Sequence, residues 1–453
     1  MLFETLISHP SDTIALRDGE TVLHYGDLMT EIEKRVEKLS EVKVLGLALD
    51  NSVEWALWDL AALKAEIPCV PLPLFFTQEQ MHHALHAAGV THILSYTGLC
   101  DTGMRAPVNR LPEGTAKITF TSGTTGTPKG VCLPRTAMER VAASIVEVLG
   151  EEFAGEHQCV LPLAVLLENV AGVYAGLIAG CTVHLNGLQQ FGEGYENLHS
   201  VLNASQATSV ILVPEILRML MAQVSVRGPL PDLKFMAVGG SKLDPTLILQ
   251  ARQMGLPVYE GYGLSECASV VSLNTPQMDK LGSVGKLLPH VKARITNGEI
   301  QIEDPGFLGY IGEPASAVLN SGDLGGLDEN GFLQVTGRKK NVLITSYGRN
   351  VSPEWVESAL LASPKIMQAI VYGDTQPFLS ALVVPAPGAA DIQDAIDAVN
   401  KSLPDYAQVK NFKTVPPFTV AAATLTGTGR PRRKEILNLY TKEISDEFLR
   451  PTG

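Results

Sequence analysis

Short runs rich in valine, isoleucine and leucine alternate with longer stretches of helical spacing through much of this 453-residue chain. Residues 44–50 (VLGLALD), 91–95 (THILS), 208–214 (TSVILVP) and 233–240 (LKFMAVGG) read as buried strands. Between the first two lies SVEWALWDLAALKAE, whose apolar spacing suits a helix. A strand that is apolar throughout needs cover on both faces, so the alternation predicts an α/β fold with mostly parallel sheets flanked by helices. From about residue 282 to 337 the texture changes to short strands and turns, as in NGEIQIEDPGFLGYIGE, which predicts a small β-rich subdomain. After GRKKN come QAIVYGD, SALVVPA and a helical end, a compact piece with its own core. The expected division is 1–339 and 340–453, without internal repeats or low-complexity tracts.

One apolar stretch, 159–185 (CVLPLAVLLENVAGVYAGLIAGCTVHL), exceeds the roughly 20 residues a membrane-spanning helix needs. Pro162, Glu168, Asn169 and the glycines after them are awkward in a helix facing lipid. Strand, helix, strand is the better expectation, with no stable membrane span. The net charge of −13 comes without any basic run, so a broad nucleic-acid footprint is excluded and phosphate contacts should be local. Cys69, Cys100, Cys132, Cys159, Cys181 and Cys267 lie far apart, without zinc-type spacing, and read as reduced, mostly buried thiols. The start MLFETLISHPSDTIAL carries no basic-then-apolar secretory pattern, so a cytoplasmic setting is expected.

Residues 118–134 (ITFTSGTTGTPKGVCLP) concentrate hydroxyls, glycines and one lysine between apolar flanks. Gly123, Gly126, Pro128 and Gly130 break both strand and helix, so a loop follows the strand KITF. Glycines let backbone N–H groups approach a ligand, hydroxyls add donors and Lys129 adds charge, a combination suited to polyphosphate. A solvated Ser/Gly/Thr linker is the alternative. The Walker pattern fails, because Pro128 precedes Lys129 and Gly130 follows it.

TFTSGTTGTPKGV resembles the phosphate-binding signature of the adenylate-forming enzymes, which include acyl-CoA synthetases, luciferases and the adenylation domains of peptide synthetases. YEGYGLSE (259–266) resembles their nucleotide and magnesium motif, SGDLG (321–325) their ribose motif, and GRKKNVLITSYGRNVSPEWVE (337–357) their hinge and thioester motif. Weaker echoes run from LHYGDL to GTGRPRRKEI, so the resemblance covers essentially the whole chain. It implies stacked sheets, a C-terminal domain that rotates between two half-reactions, and the substrates ATP, Mg²⁺ and CoA. A carboxylate attacks the α-phosphate to give acyl-AMP, and a thiol then takes the acyl group. Thr121, Ser122, Gly123, Thr124, Thr125, Gly126 and Lys129 would hold phosphates; Gly240, Ser241, Gly261, Tyr262 and Gly263 would line the nucleotide site. Ser265 would sit beside the α-phosphate, Glu266 would hold Mg²⁺, Asp323 would bind the ribose hydroxyls, and Arg338 the ribose and phosphates. Lys340 would be the hinge, and Gly348 would let a pantetheine arm pass.

Two departures stand out. Arg430 occupies the place of the family's adenylation lysine, and a planar fork is not equivalent to a point charge. Arg430 itself, or nearby Lys434, would bridge carboxylate and phosphate; otherwise adenylation is slow, or the chain is an ATP or acyl-AMP binding protein. Val165 stands where LPLA is usually followed by histidine. With Leu166, Val238 and Gly239 it makes an apolar acyl pocket, which favours a medium- or long-chain fatty carboxylate. The hinge stretch is most similar to that of bacterial fatty acyl-CoA synthetases. The alternative acceptor is an acyl carrier protein, although the insertion usual in that branch is not evident.

Overall fold

The computed structural model describes residues 1–104, 110–121, 128–153, 155–192, 194–426, 429–441 and 444. Among them, two large sheets carry the N-terminal part. In the first, the strands Phe235–Val238, Ser209–Leu212, Glu156–Gln158 and Thr182–His184 run parallel side by side, and Val258–Leu264 extends them. In the second, Thr115–Thr121, Cys69–Pro71, Leu45–Leu47 and His92–Ser95 are neighbours, again parallel. Antiparallel strands close the edges: Ser269–Leu273 pairs with Val258–Leu264, and Lys129–Pro134 pairs with Thr115–Thr121.

The helix Val53–Lys64 starts where the Ser52 hydroxyl accepts the Trp55 N–H at 3.2 Å. From Val53 to Leu63 every residue except Glu54 is buried, rather than one stripe alone. Asp59, in its middle, pairs with Lys117 of the strand Thr115–Thr121 at 2.8 Å, and both side chains are 1% exposed. Asn169 and Tyr174 complete this network, Tyr174 donating its hydroxyl to Asp59 Oδ2 at 2.7 Å. Two buried charges are tolerable only when paired and hydrogen-bonded in this way.

Residues 159–185 form no single long helix. A wide π-helical segment, Leu167–Tyr174, runs into the short helix Ala175–Ala179, with strands on either side. Glu168, the least lipid-compatible residue of the stretch, accepts the Val160 and Leu161 N–H groups at 3.1 and 2.8 Å and faces His157 at 3.3 Å. No helix among the described residues is long and apolar enough to cross a membrane.

The 282–337 stretch does not make one self-contained sheet. Lys292–Thr296, Glu299–Glu303, Val318–Leu327 and Leu333–Arg338 form a four-stranded antiparallel sheet. Gly309–Tyr310 leaves it to pair with Lys129–Pro134, carrying Tyr310 to the exit of the phosphate-type loop. Beyond Arg338, the strands Ile366–Tyr372, Leu379–Pro385 and Val409–Thr414 form a separate sheet. Its two faces bury clusters around Val356, Leu360 and Val371 on one side and Ile370, Leu382 and Ile436 on the other, all drawn from residues after 342.

Candidate active site

The strand Val258–Leu264 and the four-stranded sheet converge on one carboxylate. Asp323 lies opposite Arg338 in the antiparallel ladder, and Arg338 Nε is 2.7 Å from Asp323 Oδ1. Tyr262 donates its hydroxyl to Asp323 Oδ2 at 2.7 Å. Burial pushes the Asp323 carboxyl above its usual range, and the Arg338 charge and the Tyr262 hydrogen bond act against that rise. Burial, then Asp323, pushes the Tyr262 hydroxyl far above its ordinary value, so it stays a neutral donor.

A second group gathers at the exit of the glycine-rich loop. Tyr310 donates its hydroxyl to Glu266 Oε1 at 2.7 Å, and Lys129 Nζ lies 4.9 Å from the Tyr310 ring centre. Lys129 also pairs with Glu313 at 3.2 Å in an exposed setting, a contact that costs little to exchange for phosphate. Glu266 Oε2 has no hydrogen-bond partner among the described residues. One free carboxylate oxygen close to Lys129, at the exit of the phosphate-type loop, fits Mg²⁺, which characteristically takes one or two carboxylates and completes its shell with substrate phosphate and water.

Gly239, Gly240 and Ser241 follow the strand Phe235–Val238, with Gly240 and Ser241 exposed. A β-carbon on Gly239 would stand 3.0 Å from the Gly261 carbonyl oxygen, so the two backbones pass closely here. At Gly240, with φ +92, a β-carbon would lie 3.5 Å from both Val213 Cγ1 and Arg430 Nη2. Arg430, from the far end of the chain, therefore stands in the same cleft. Desolvation by the groups crowded around it, then the Arg338 charge, lowers its guanidinium pKa, while Glu215 and Asp323 raise it. The side chain remains open to solvent, and a guanidinium keeps its proton under such conditions.

Not every expected residue joins this constellation. Ser122, Gly123, Thr124, Thr125 and Gly126 lie outside the described residues, whereas Thr121 pairs with Lys129 at the base of that loop. Gly261 and Gly263 sit in the strand beside Tyr262, and Ser265 opens the turn that carries Glu266. Leu166 and Val238 are buried and Val165 is half-buried. Lys434 is exposed on the short helix Arg433–Leu439. Lys340 is exposed in the turn after Arg338, and Gly348, with φ +72, is in a turn whose hydrogen bonds stay within 345–376.

Tyr310, Glu313 and Glu215 were not legible in the sequence as neighbours of the site. It also did not foresee that His157, Cys159 and Glu168 place donor atoms within 4.8 Å of one another. That cluster is fully buried and already satisfied: His157 Nδ1 meets Ser209 Oγ at 2.8 Å, and burial, then Glu168, raises the Cys159 thiol well above its usual range.

Known proteins share the fold and the sequence signature of this chain. The family model described as AMP-binding enzyme matches residues 101–312, and the model of the AMP-binding enzyme C-terminal domain matches residues 340–450. A long-chain-fatty-acid–CoA ligase, FadD15 of Mycobacterium bovis, is 32% identical over 242 residues, which take in 46% of this chain and only 40% of that relative. An anthranilate CoA ligase, AuaEII, solved with anthranoyl-AMP, superposes with a TM-score of 0.85 at 17% identity, covering 98% of this chain and 97% of the other. O-succinylbenzoate CoA synthetase from Bacillus subtilis, solved with ATP and magnesium, gives a TM-score of 0.76 at 23% identity, over 93% and 97% of the two chains.

Proposed function

The chain belongs to the AMP-binding, adenylate-forming enzyme family, and on that footing we propose that it activates a medium- or long-chain fatty carboxylate with ATP and transfers the acyl group to CoA. A carboxylate oxygen attacks the α-phosphorus, the bond to the bridging oxygen breaks, and pyrophosphate leaves. The CoA thiol, losing its proton, then attacks the acyl carbon, and AMP leaves. The observation that carries the proposal is the meeting of Asp323, Tyr262 and Arg338 with Arg430 in one cleft, with Lys129 and Glu266 joined through Tyr310 beside the loop.

Each residue has a physical task in that scheme. Asp323 keeps acceptor lone pairs for ribose hydroxyls while Tyr262 and Arg338 fix its orientation. Lys129 exchanges Glu313 for the β- and γ-phosphates, and Arg430 and Arg338 offset the repulsion between carboxylate and triphosphate. Mg²⁺, held by Glu266, neutralises phosphate charge when bound. A fatty acyl chain suits the apolar character of Val165, Leu166 and Val238. A cytoplasmic setting suits six cysteines that form no disulfide.

The test is pyrophosphate release with Mg-ATP and a series of acids from acetate to stearate, together with benzoate-type acids, in the presence and absence of CoA. Release that depends on medium or long fatty acids and speeds up with CoA is the expected result. Preference for an aromatic acid overturns the substrate assignment, and bound acyl-AMP with no CoA effect shifts the acceptor to a carrier protein. ATP binding without release overturns the activity itself. Lys129→Ala is expected to raise the ATP KM about 10-fold or more, the loss of one charge-assisted phosphate contact; an unchanged KM for ATP removes Lys129 from the phosphate site.

A further inference from the structure

We infer that the half-buried Arg433–Glu357 pair is a positioning device for Arg430, an inference that rests on Arg430 acting in adenylation. Arg430 belongs to a small hairpin. Leu425 bridges Pro431, the Arg432 N–H donates to the Thr424 carbonyl at 2.8 Å, and the Thr426 N–H donates to the Arg430 carbonyl at 2.7 Å. An isolated two-stranded hairpin is marginal in water. Something else must hold it if Arg430 is to stay beside Gly240.

Both legs are fastened to the same strand, Ile366–Tyr372. On the entering leg, Gln368 accepts the Phe418 N–H at 2.7 Å and donates to the Phe418 carbonyl at 3.1 Å. On the leaving leg, Arg433 Nη1 donates to the Val371 carbonyl at 2.7 Å, and Nη2 reaches Glu357 Oε1 at 2.5 Å. Glu357 Oε1 also accepts the Val371 N–H at 2.7 Å, which closes a ring between helix Pro353–Leu361, the strand and helix Arg433–Leu439. Glu357 is 8% exposed; burial raises its carboxyl pKa and Arg433 opposes the rise. A guanidinium fork satisfies the carbonyl and the carboxylate with two donors in fixed directions, which an ammonium on a flexible stem cannot reproduce. Arg433 is three residues from Arg430, so the direction of its fork sets where the neighbouring turn points.

Pairing within the C-terminal sheet would be needed for folding whatever Arg430 does. The two roles separate in the half-reactions, because Arg430 is required only where carboxylate meets ATP. The experiment compares Arg433→Lys, Arg433→Met and Glu357→Gln with Arg430→Ala. Adenylation is read as ATP–pyrophosphate exchange dependent on the fatty acid turned over fastest, and thiolysis as CoA-thioester formation from its synthetic acyl-AMP. The expected result is a fall of about 30- to 100-fold in exchange kcat, as for a reacting group displaced by about 1 Å, with thiolysis and the ATP KM within about 3-fold. Arg433→Lys is expected to retain more exchange than Arg433→Met, and the two milder variants carry the test if Arg433→Met fails to fold. Equal losses in both half-reactions, or exchange unchanged in Arg433→Lys and Glu357→Gln, overturn the positioning role. If exchange survives Arg430→Ala, the role of Arg430 fails instead, and the anchor has no catalytic group to place.

Discussion

Glu260 illustrates how a single residue can escape notice in sequence and matter in the fold. It stands two places before Tyr262, 6% exposed, and burial raises its carboxyl to about 8 against the opposing Leu243 amide and Lys242 charge. Between the ordinary carboxylate range and that value, the folded state holds a proton the unfolded state has released, so stability falls as pH rises. Glu260→Gln is therefore expected to flatten the fall in unfolding free energy from about pH 5 to 8 by up to about 1.4 kcal/mol per pH unit, read from urea titrations. An unchanged slope rules out a protonated Glu260. Glu260 was legible only as part of a motif, because its desolvation depends on what packs around it. Asp323, Arg338 and Glu266, by contrast, were nameable because their motifs fix which chemical group stands where. Tyr310 was not, since it reaches Glu266 across 44 residues of sequence through a strand only two residues long.

At the scale of elements, the parallel strands were visible because burial on both faces writes apolar runs into the chain. The helix Val53–Lys64 was visible too, but its nearly complete burial was not, nor was the partner of its one buried charge, Asp59. Lys117 in KITF reads as an ordinary strand residue, and only the stacking of sheet, helix and π-helical segment brings it to Asp59. Lys117→Met is expected to cost about 3–5 kcal/mol, because Asp59 is left as an uncompensated buried charge. Pairing it with Asp59→Leu should recover part of that loss; chemical denaturation of the single and double variants gives the coupling, and additive effects contradict it. Gly285 is a second fixed point. Its φ is +87, and a β-carbon there would lie 1.9 Å from the Leu273 carbonyl carbon. Gly285→Ala is expected to destabilise by more than about 2 kcal/mol, through strain and displacement of the neighbouring backbone. Within the β-rich stretch 282–337, that Gly309–Tyr310 pairs with Lys129–Pro134 was not legible, because strand pairing is a tertiary choice that local texture does not encode.

At the scale of the whole molecule, the C-terminal sheet has cores of its own, while its hairpin delivers Arg430 to a cleft built by the N-terminal sheets. The connection runs through Arg338, Lys339 and Lys340, where strand gives way to an exposed turn. Lys340→Pro would restrict φ at that turn. If the C-terminal part reorients between half-reactions, thiolysis of acyl-AMP is expected to fall at least about 10-fold while pyrophosphate exchange changes little. Equal effects on both would count against reorientation there. A consequence for reversibility follows from where Arg430 is mounted. A group that stabilises pyrophosphate departure equally stabilises its return, because both directions cross the same transition state. If Arg430 assists adenylation as proposed and the C-terminal part reorients, then once the hairpin withdraws, pyrophosphate attack on the adenylate loses its assistance. On the proposed activity, the energy of ATP would then stay in the acyl group until a thiol claims it.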